Sequence, residues 1–349
     1  MPSANPVQRF NYYGSRKDLR VSESNPNRER VARQKVRPPA LRSGDTIAVI
    51  APASAVCRAD VEAGATRLRE LGYNPVYSES IFDSDLYFAG TLERRARELQ
   101  ETFQRDDVKA VLCARGGYGA NYLLPRLDVS KLLASPKIFI GYSDITTLLT
   151  RFADGGLVVF HGPMAAKDFA HRGGVHLDSW RAVLGGEPCR LEFDAASRVR
   201  TLRAGQATGE LYGGCLSMLV ASLGTPYEVQ TSGKILLMED IGAKPYQVDR
   251  MLMQLRLAGK LDGVRAIVFG EMVECVQPVE QPYTLQQVVE RVVGDLGIPV
   301  VYGLPSGHVT GENITLPLGV EVSVTASVER VAFEIGAATI RDAQGTTRH

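Results

Sequence analysis

Hydrophobic residues along this chain fall into short unbroken runs, separated by stretches whose apolar positions recur at helical spacing. The run DTIAVIAPAS, residues 45–54, is apolar until small residues and Pro52 end it, as a buried parallel strand does before its loop. Residues 61–71 have helical spacing and stop at Gly72. NPVYSES, residues 74–80, reads as a weaker strand, and TLERRARELQETFQ predicts a helix over 91–104 capped by Thr91. VKAVLCAR, residues 108–115, is another buried strand and runs into GGYGA; residues 122–133 read as helix or turn. KIFIGYSDI then carries a strand into Ser143. Strand and helix alternating in this order predict a parallel α/β sheet with right-handed crossovers.

The second half reads differently. KILLMEDI (234–241), VRAIVFGEM (264–272) and IPVVYGLP (298–305) predict strands, with helical periods over 246–257 and 285–294. ITLPLGVEVSVTASVERVAFEI alternates and is β-branched, which predicts antiparallel strands. The expected organisation is an extension over 1–37, disordered or loosely docked, and an α/β domain over 38–165. A linker with a helical piece over 166–203 and a smaller, β-rich domain over 204–340 follow. The fold class is α/β.

Composition narrows the function classes. The 349 residues are 44% hydrophobic and 23% charged, enough for a core without staples. A formal net charge of +1 gives no reason to expect nucleic acid or anionic lipid as a partner. No run approaches the ~18 apolar residues of a membrane span. The first twenty residues lack the apolar region of a secretory signal. The basic, Ser-bearing extension could alternatively be an organelle address or a partner-binding arm. The five cysteines, Cys57, Cys113, Cys189, Cys215 and Cys275, are scattered and include no CxxC pair. They read as reduced residues of a cytoplasmic protein, with neither a disulfide framework nor a metal site.

Three places could carry chemistry. In GYSDIT, a strand meets Ser143 and then a helix-forming segment, the context of a nucleophile elbow. A sharp turn there lifts the hydroxyl above the sheet and frees the N–H of Asp144 to hold an oxyanion. Ile145 stands where G-x-S-x-G has its second glycine, and a plain helix cap at Ser143 or Asp144 is the competing reading. The loop ARGGYGA matches neither G-x-G-x-x-G nor a P-loop, so a nucleotide-binding oxidoreductase is a distant alternative. A second oxyanion donor there, with Arg115 near a substrate carboxylate, is the more attractive reading. Third, Glu239 ends an apolar strand, where α/β ligand sites sit, and His308 lies in a Gly- and Pro-rich loop suited to a general base. The order Ser, acid, His is that of α/β-hydrolases. His161, in FHGPM, reads as a core or wall residue.

The blocks ARGGYGANYLLPRLD, IGYSDITTLL, HGPM, GELYGGCLSMLVASLGTPYE, ILLMEDIGAKPYQVDRMLMQL and GLPSGHVTGENITLPLG occur in order over residues 40–330. Together they resemble the LD-carboxypeptidase family (muramoyltetrapeptide carboxypeptidases). The resemblance implies a metal- and cofactor-independent serine peptidase with Ser143 as nucleophile, Glu239 as acid and His308 as base. It implies backbone N–H groups of Gly117 and Asp144 as the oxyanion hole, with Arg115 and Tyr118 as candidate substrate contacts. It further implies a class I glutamine-amidotransferase-like first domain, frequent homodimers, and a muropeptide tetrapeptide substrate cut before its terminal D-Ala. Cys215 stands where the family more often has Asn, which puts substrate preference in question. The same superfamily includes proteins similar to the microcin C self-immunity peptidase, which hydrolyse acyl-adenylate analogues and stack an aromatic on adenine. Trp180, the one tryptophan, is the candidate for that role or a seam-packing residue.

Overall fold

A computed structural model describes residues 35–276 and 282–341. The expected extension over 1–37 lies outside the described residues except for its last three. Of these, Val36 exchanges backbone hydrogen bonds with Gly156 and Val158, and Lys35 Nζ donates to Glu210 at 2.7 Å.

The first half carries β1 (Thr46–Ile50), α1 (Arg58–Glu70), β2 (Asn74–Val76), α2 (Leu92–Gln104), β3 (Val108–Cys113), α3 (Val129–Ala134), β4 (Ile138–Gly141), α4 (Thr146–Gly155) and β5 (Val159–His161). The strands are short and buried along nearly their whole length, as the unbroken apolar runs require. Thr91 caps α2 by accepting from the Arg94 N–H, as expected. Residues 120–126 form a 3₁₀ turn before α3, so the expected helix or turn over 122–133 is both in succession.

The stretch 166–203 is not a linker. It holds α5 (Leu177–Gly185), β6 (Cys189–Asp194) and β7 (Arg200–Arg203). Both strands are half-exposed edge strands, and their charged outward positions hid the strand signal. The chain continues through β8 (Gly205–Cys215), α6 (Leu216–Ala221), β9 (Lys234–Glu239), α7 (Pro245–Leu257), β10 (Ala266–Gly270), α8 (Leu285–Val293), β11 (Val300–Leu304), β12 (Leu316–Leu318), β13 (Glu321–Ala326) and β14 (Arg330–Ile335).

These strands make two sheets in a mixed α/β fold. The first has the order β12-β5-β4-β3-β1-β2, parallel except for β12, which runs antiparallel to β5. The second has the order β6-β14-β13-β8-β9-β10-β11-β7. Its centre, β8 to β11, is parallel, and antiparallel strands extend it on both sides. The second half was expected to be the smaller; with eight strands against six, its sheet is the larger. The added width comes from β6 and β7 and from the long, glycine-bearing β8.

One crossing matters for the site. The loop after β11 leaves the second sheet, carries His308, and delivers β12 to the edge of the first sheet beside β5. Leu316 pairs with His161, and His161 in turn pairs with Gly141 at the end of β4.

Candidate active site

Ser143 follows β4 with φ +63, in the left-handed region that a non-glycine residue rarely occupies. A strained serine between a buried strand and α4 is the sharp turn the sequence suggested, and such strain persists only where surrounding packing fixes it. Gly116 makes the turn possible on its other side. A Cβ at Gly116 would lie 2.8 Å from Ser143 Cβ and 3.0 Å from its Oγ, so only glycine leaves the serine side chain room.

The glycine loop is fastened from three directions. The Tyr118 N–H donates to Ser54 Oγ at 3.0 Å, and the Ala120 N–H donates to Asp144 Oδ2 at 2.8 Å. The buried Arg95 guanidinium donates to the carbonyls of Pro52 and Gly119 at 2.8 and 2.9 Å. The N–H groups of Gly116, Gly117 and Asp144 have no acceptor among the described residues. Burial of the Asp144 carboxyl pushes its pKa up to about 6, against the pull of the Ala120 N–H and Arg95.

Glu239, the last residue of β9, is fully buried. Its Oε2 accepts from the backbone N–H of His308 at 3.0 Å and faces His308 Nδ1 at 2.6 Å. Burial alone would raise its pKa; the His161 and His308 imidazoles outweigh that and hold it down to about 2. The carboxylate is therefore ionised throughout the range in which a histidine base works. Gly307 has φ +96, and a Cβ there would sit 2.6 Å from Glu239 Cδ. The SGH turn is thus wrapped directly on the carboxylate.

The loop carrying His308 is held at both ends. Asn313 accepts from the Gly307 N–H and donates to its carbonyl, closing a ring at 3.0 and 2.9 Å. Glu271, just past β10, accepts from both the N–H and the hydroxyl of Thr310. Asp168 reaches the same loop through Asn313 Nδ2 and holds the Tyr142 hydroxyl.

Two contacts bring the sheets' contributions together. The Tyr142 ring stands edge-on to His308, with centroids 5.1 Å apart, so the imidazole packs on the residue preceding Ser143. The Cys215 N–H donates to Thr146 Oγ1 at 3.0 Å, and Cys215 is in register with Glu239 across β8 and β9. Cys215 itself is buried, with its Sγ 3.2 Å from Ser217 Oγ.

Other expected residues fall elsewhere. Arg115 is exposed, and its guanidinium donates to the Ala55 carbonyl at 3.3 Å beside the glycine loop. Tyr118 joins an aromatic group with Tyr87, Phe88 and Tyr122 on the surface by that loop. Trp180 has no exposed surface: its ring packs on Phe169 and Tyr73, and its Nε1 donates to the Tyr73 hydroxyl at 3.2 Å. It is a core residue with no face for a ligand. Sequence reasoning missed Ser54, Asp168, Glu271, Ser306 and Asn313, and read His161 as a core or wall residue. Asn313, Ser306 and His161 lie inside blocks that carried the resemblance, the one signal that could have marked them.

A strained serine at the end of a parallel strand, whose preceding tyrosine packs on the imidazole of a buried carboxylate–imidazole pair, is the arrangement of a serine hydrolase on an α/β scaffold. Residues 47–162 match the family model for the LD-carboxypeptidase N-terminal domain, and residues 208–324 match that for the C-terminal domain. The probable murein peptide carboxypeptidase of Bacillus subtilis (strain 168) is 38% identical, over 86% of this chain and 95% of that protein. The crystal structure of muramoyltetrapeptide carboxypeptidase from Oxalobacter formigenes superposes with a TM-score of 0.77 at 31% identity, covering 84% of this chain and all of that one. The microcin C7 self-immunity protein MccF of Escherichia coli is 28% identical, over 81% of this chain and 91% of that protein. The chain belongs to the LD-carboxypeptidase family and is a serine carboxypeptidase.

Proposed function

We propose that this enzyme releases the terminal D-Ala from the tetrapeptide stem of muropeptides, using Ser143 as nucleophile, Glu239 as acid and His308 as base. The observation that carries the reading is the double contact of His308 with Glu239 Oε2. It fixes the imidazole by its Nδ1 side and leaves Nε2 to receive a proton. His308 takes the Ser143 hydroxyl proton as Oγ attacks the scissile carbonyl carbon. The N–H groups of Gly117 and Asp144 hold the resulting oxyanion, and His308 returns the proton to the departing D-Ala amine. A water then adds to the acyl-enzyme by the same route and frees Ser143. In this reading Arg115 and Tyr118 meet the peptide at the glycine loop, Arg115 as partner of the terminal carboxylate.

The test is release of free D-Ala from L-Ala-γ-D-Glu-meso-diaminopimelate-D-Ala, followed by mass spectrometry with EDTA present. Wild type is expected to release it and Ser143→Ala to be slower by at least about 10³-fold. A Ser143→Ala enzyme of full activity would overturn the mechanism.

The kinship with the self-immunity protein supports a second substrate class, acyl-adenylate analogues. The burial of Trp180 leaves that reading without the adenine-stacking residue the sequence offered. We also read the protein as a cytoplasmic homodimer with a glutamine-amidotransferase-like first sheet. The unpaired cysteines support the compartment and the strand–serine–helix order of β4 and α4 supports the amidotransferase-like sheet; the homodimer rests on the family resemblance alone.

A further inference from the structure

Glu239 has a second oxygen, and the mechanism above gives it nothing to do. Oε1 is buried and accepts no hydrogen bond from a described residue. The polar atom facing it is His161 Nε2, 3.8 Å away, which is equally buried and equally unpartnered. On the far side of the ring, the Ser306 hydroxyl donates to the Ile314 carbonyl at 2.9 Å, which leaves its oxygen to accept from His161 Nδ1–H, also at 2.9 Å.

A lone pair on Nε2 would face a buried carboxylate oxygen, and each group would then bear the full cost of an unpaired buried polar atom. A second ring proton, on Nε2, makes His161 an imidazolium and turns the same geometry into a buried ion pair with the carboxylate. We infer that His161 is a positioning residue that directs an Nε2–H at Glu239 Oε1, so that the acid is clamped between two imidazoles and only His308 moves a proton. Ser306 sets the orientation of the ring from behind.

The topology explains why the clamp can be rigid. His161 ends β5, in register with Gly141 just before the serine and with Leu316 of β12. Glu239 ends β9 of the other sheet, so the contact spans both sheets at the point where the triad must be aligned. Both imidazoles hold the carboxylate charged. The other ionisable groups around it are Asp240, Cys215, Cys275 and Tyr142, all with pKa values pushed up by burial. Tyr142 also faces Asp168, and Lys167 Nζ sits 5.8 Å from its ring.

This inference rests on the reading of Glu239 and His308 as acid and base. The direct measurement is ¹⁵N-histidine NMR of the full-length enzyme near neutral pH, with the His161 ring assigned by its loss in His161→Gln. A protonated, pyrrole-type Nε2 is expected; a pyridine-type Nε2 overturns the inference. Kinetics supply a second readout. In His161→Phe, kcat should fall by about 10²-fold with KM nearly unchanged, the size expected when catalytic groups lose alignment. Removing a proton donor from a buried carboxylate–imidazole pair makes the pair hold its remaining proton more tightly. The acid limb of kcat/KM should therefore move to higher pH. His161→Gln, whose amide can donate from nearly the Nε2 position, should restore most of both. If His161→Phe does not fold, Ser306→Ala should shift the limb in the same direction by less. An acid limb at its wild-type position in folded His161→Phe, or in Ser306→Ala where His161→Phe does not fold, overturns the inference. Ser143→Ala, run alongside, separates the two failures: an active Ser143→Ala sinks the proposed triad itself. An inactive one with an unmoved limb in His161→Phe sinks only the clamp.

Discussion

The imidazole and the backbone N–H of His308 both address one oxygen of Glu239, Oε2, from a single turn of chain. Position and orientation of the base are thereby set by the same acceptor. Glu239→Gln can set its amide oxygen where Oε2 stands and accept both contacts, but it loses the charge that supports an imidazolium. Its kcat should fall by about 10³–10⁴-fold with a small change in KM. The held-down pKa of about 2 also has a stability consequence with a definite sign. A carboxylate with a folded pKa below its unfolded value stabilises the fold above the unfolded value, and that contribution is lost as pH falls through the folded one. The stability gap between wild type and Glu239→Gln should therefore narrow from about pH 4 down to pH 2, by denaturant titration.

Asp144 behaves in the opposite sense. Its carboxyl is raised to about 6 by burial, so the folded state binds that proton more tightly than the unfolded state does. The stability it supplies is present at low pH and is lost as pH rises from about 4 to about 6. Asp144→Asn keeps an acceptor for the Ala120 N–H without the ionisation. Wild type should lose roughly 2–3 kcal/mol relative to this variant between pH 4 and pH 7, seen as diverging urea midpoints. Parallel stability curves would refute it.

Gly307 combines a left-handed backbone with contact on Glu239, so any side chain is penalised twice. Gly307→Ala should cost at least about 1–3 kcal/mol through the strained backbone alone. Relief of the clash displaces His308, so kcat should fall further than the drop in Tm explains. Thermal melts and kcat on the same preparation check this.

Trp180 separates the two substrate classes in a way opposite to its sequence promise. Since the ring is wholly inside, Trp180→Ala should cost about 3–5 kcal/mol of stability. The milder Trp180→Phe should leave unchanged the ratio of kcat/KM for tetrapeptide to that for an acyl-sulfamoyl adenosine. A selective loss on the adenosine compound would show that the ring reaches the ligand.

Much of this site could be read from the chain because its parts lie where patterns end. Ser143 and Glu239 each close an apolar run, and His308 stands in a loop between two strands, positions that α/β sites use repeatedly. The residues that hold them were harder to see. His161 ends a three-residue strand and resembles any buried core histidine until β12 is known to lie beside it. Asp168 acts on Tyr142 and Asn313 across long sequence separations, which no local period encodes. The long β8 escaped because Gly205, Gly209, Gly213 and Gly214 interrupt its alternation. The edge strands β6 and β7 escaped because charge on the outward face reads as loop.

The return of Leu316–Leu318 to the edge of the first sheet has a consequence for how the enzyme comes into being. The strand that closes the sheet of Ser143 leaves the ribosome after the other five strands of that sheet, and the loop just before it carries His308, the proposed base. A nascent chain can hold Ser143 on a finished β4 for most of its synthesis without a partner to deprotonate it. Hydrolytic competence then arrives in one step, when a single late segment seats the histidine and seals the sheet together, so a prematurely terminated product carries the serine but not the activity.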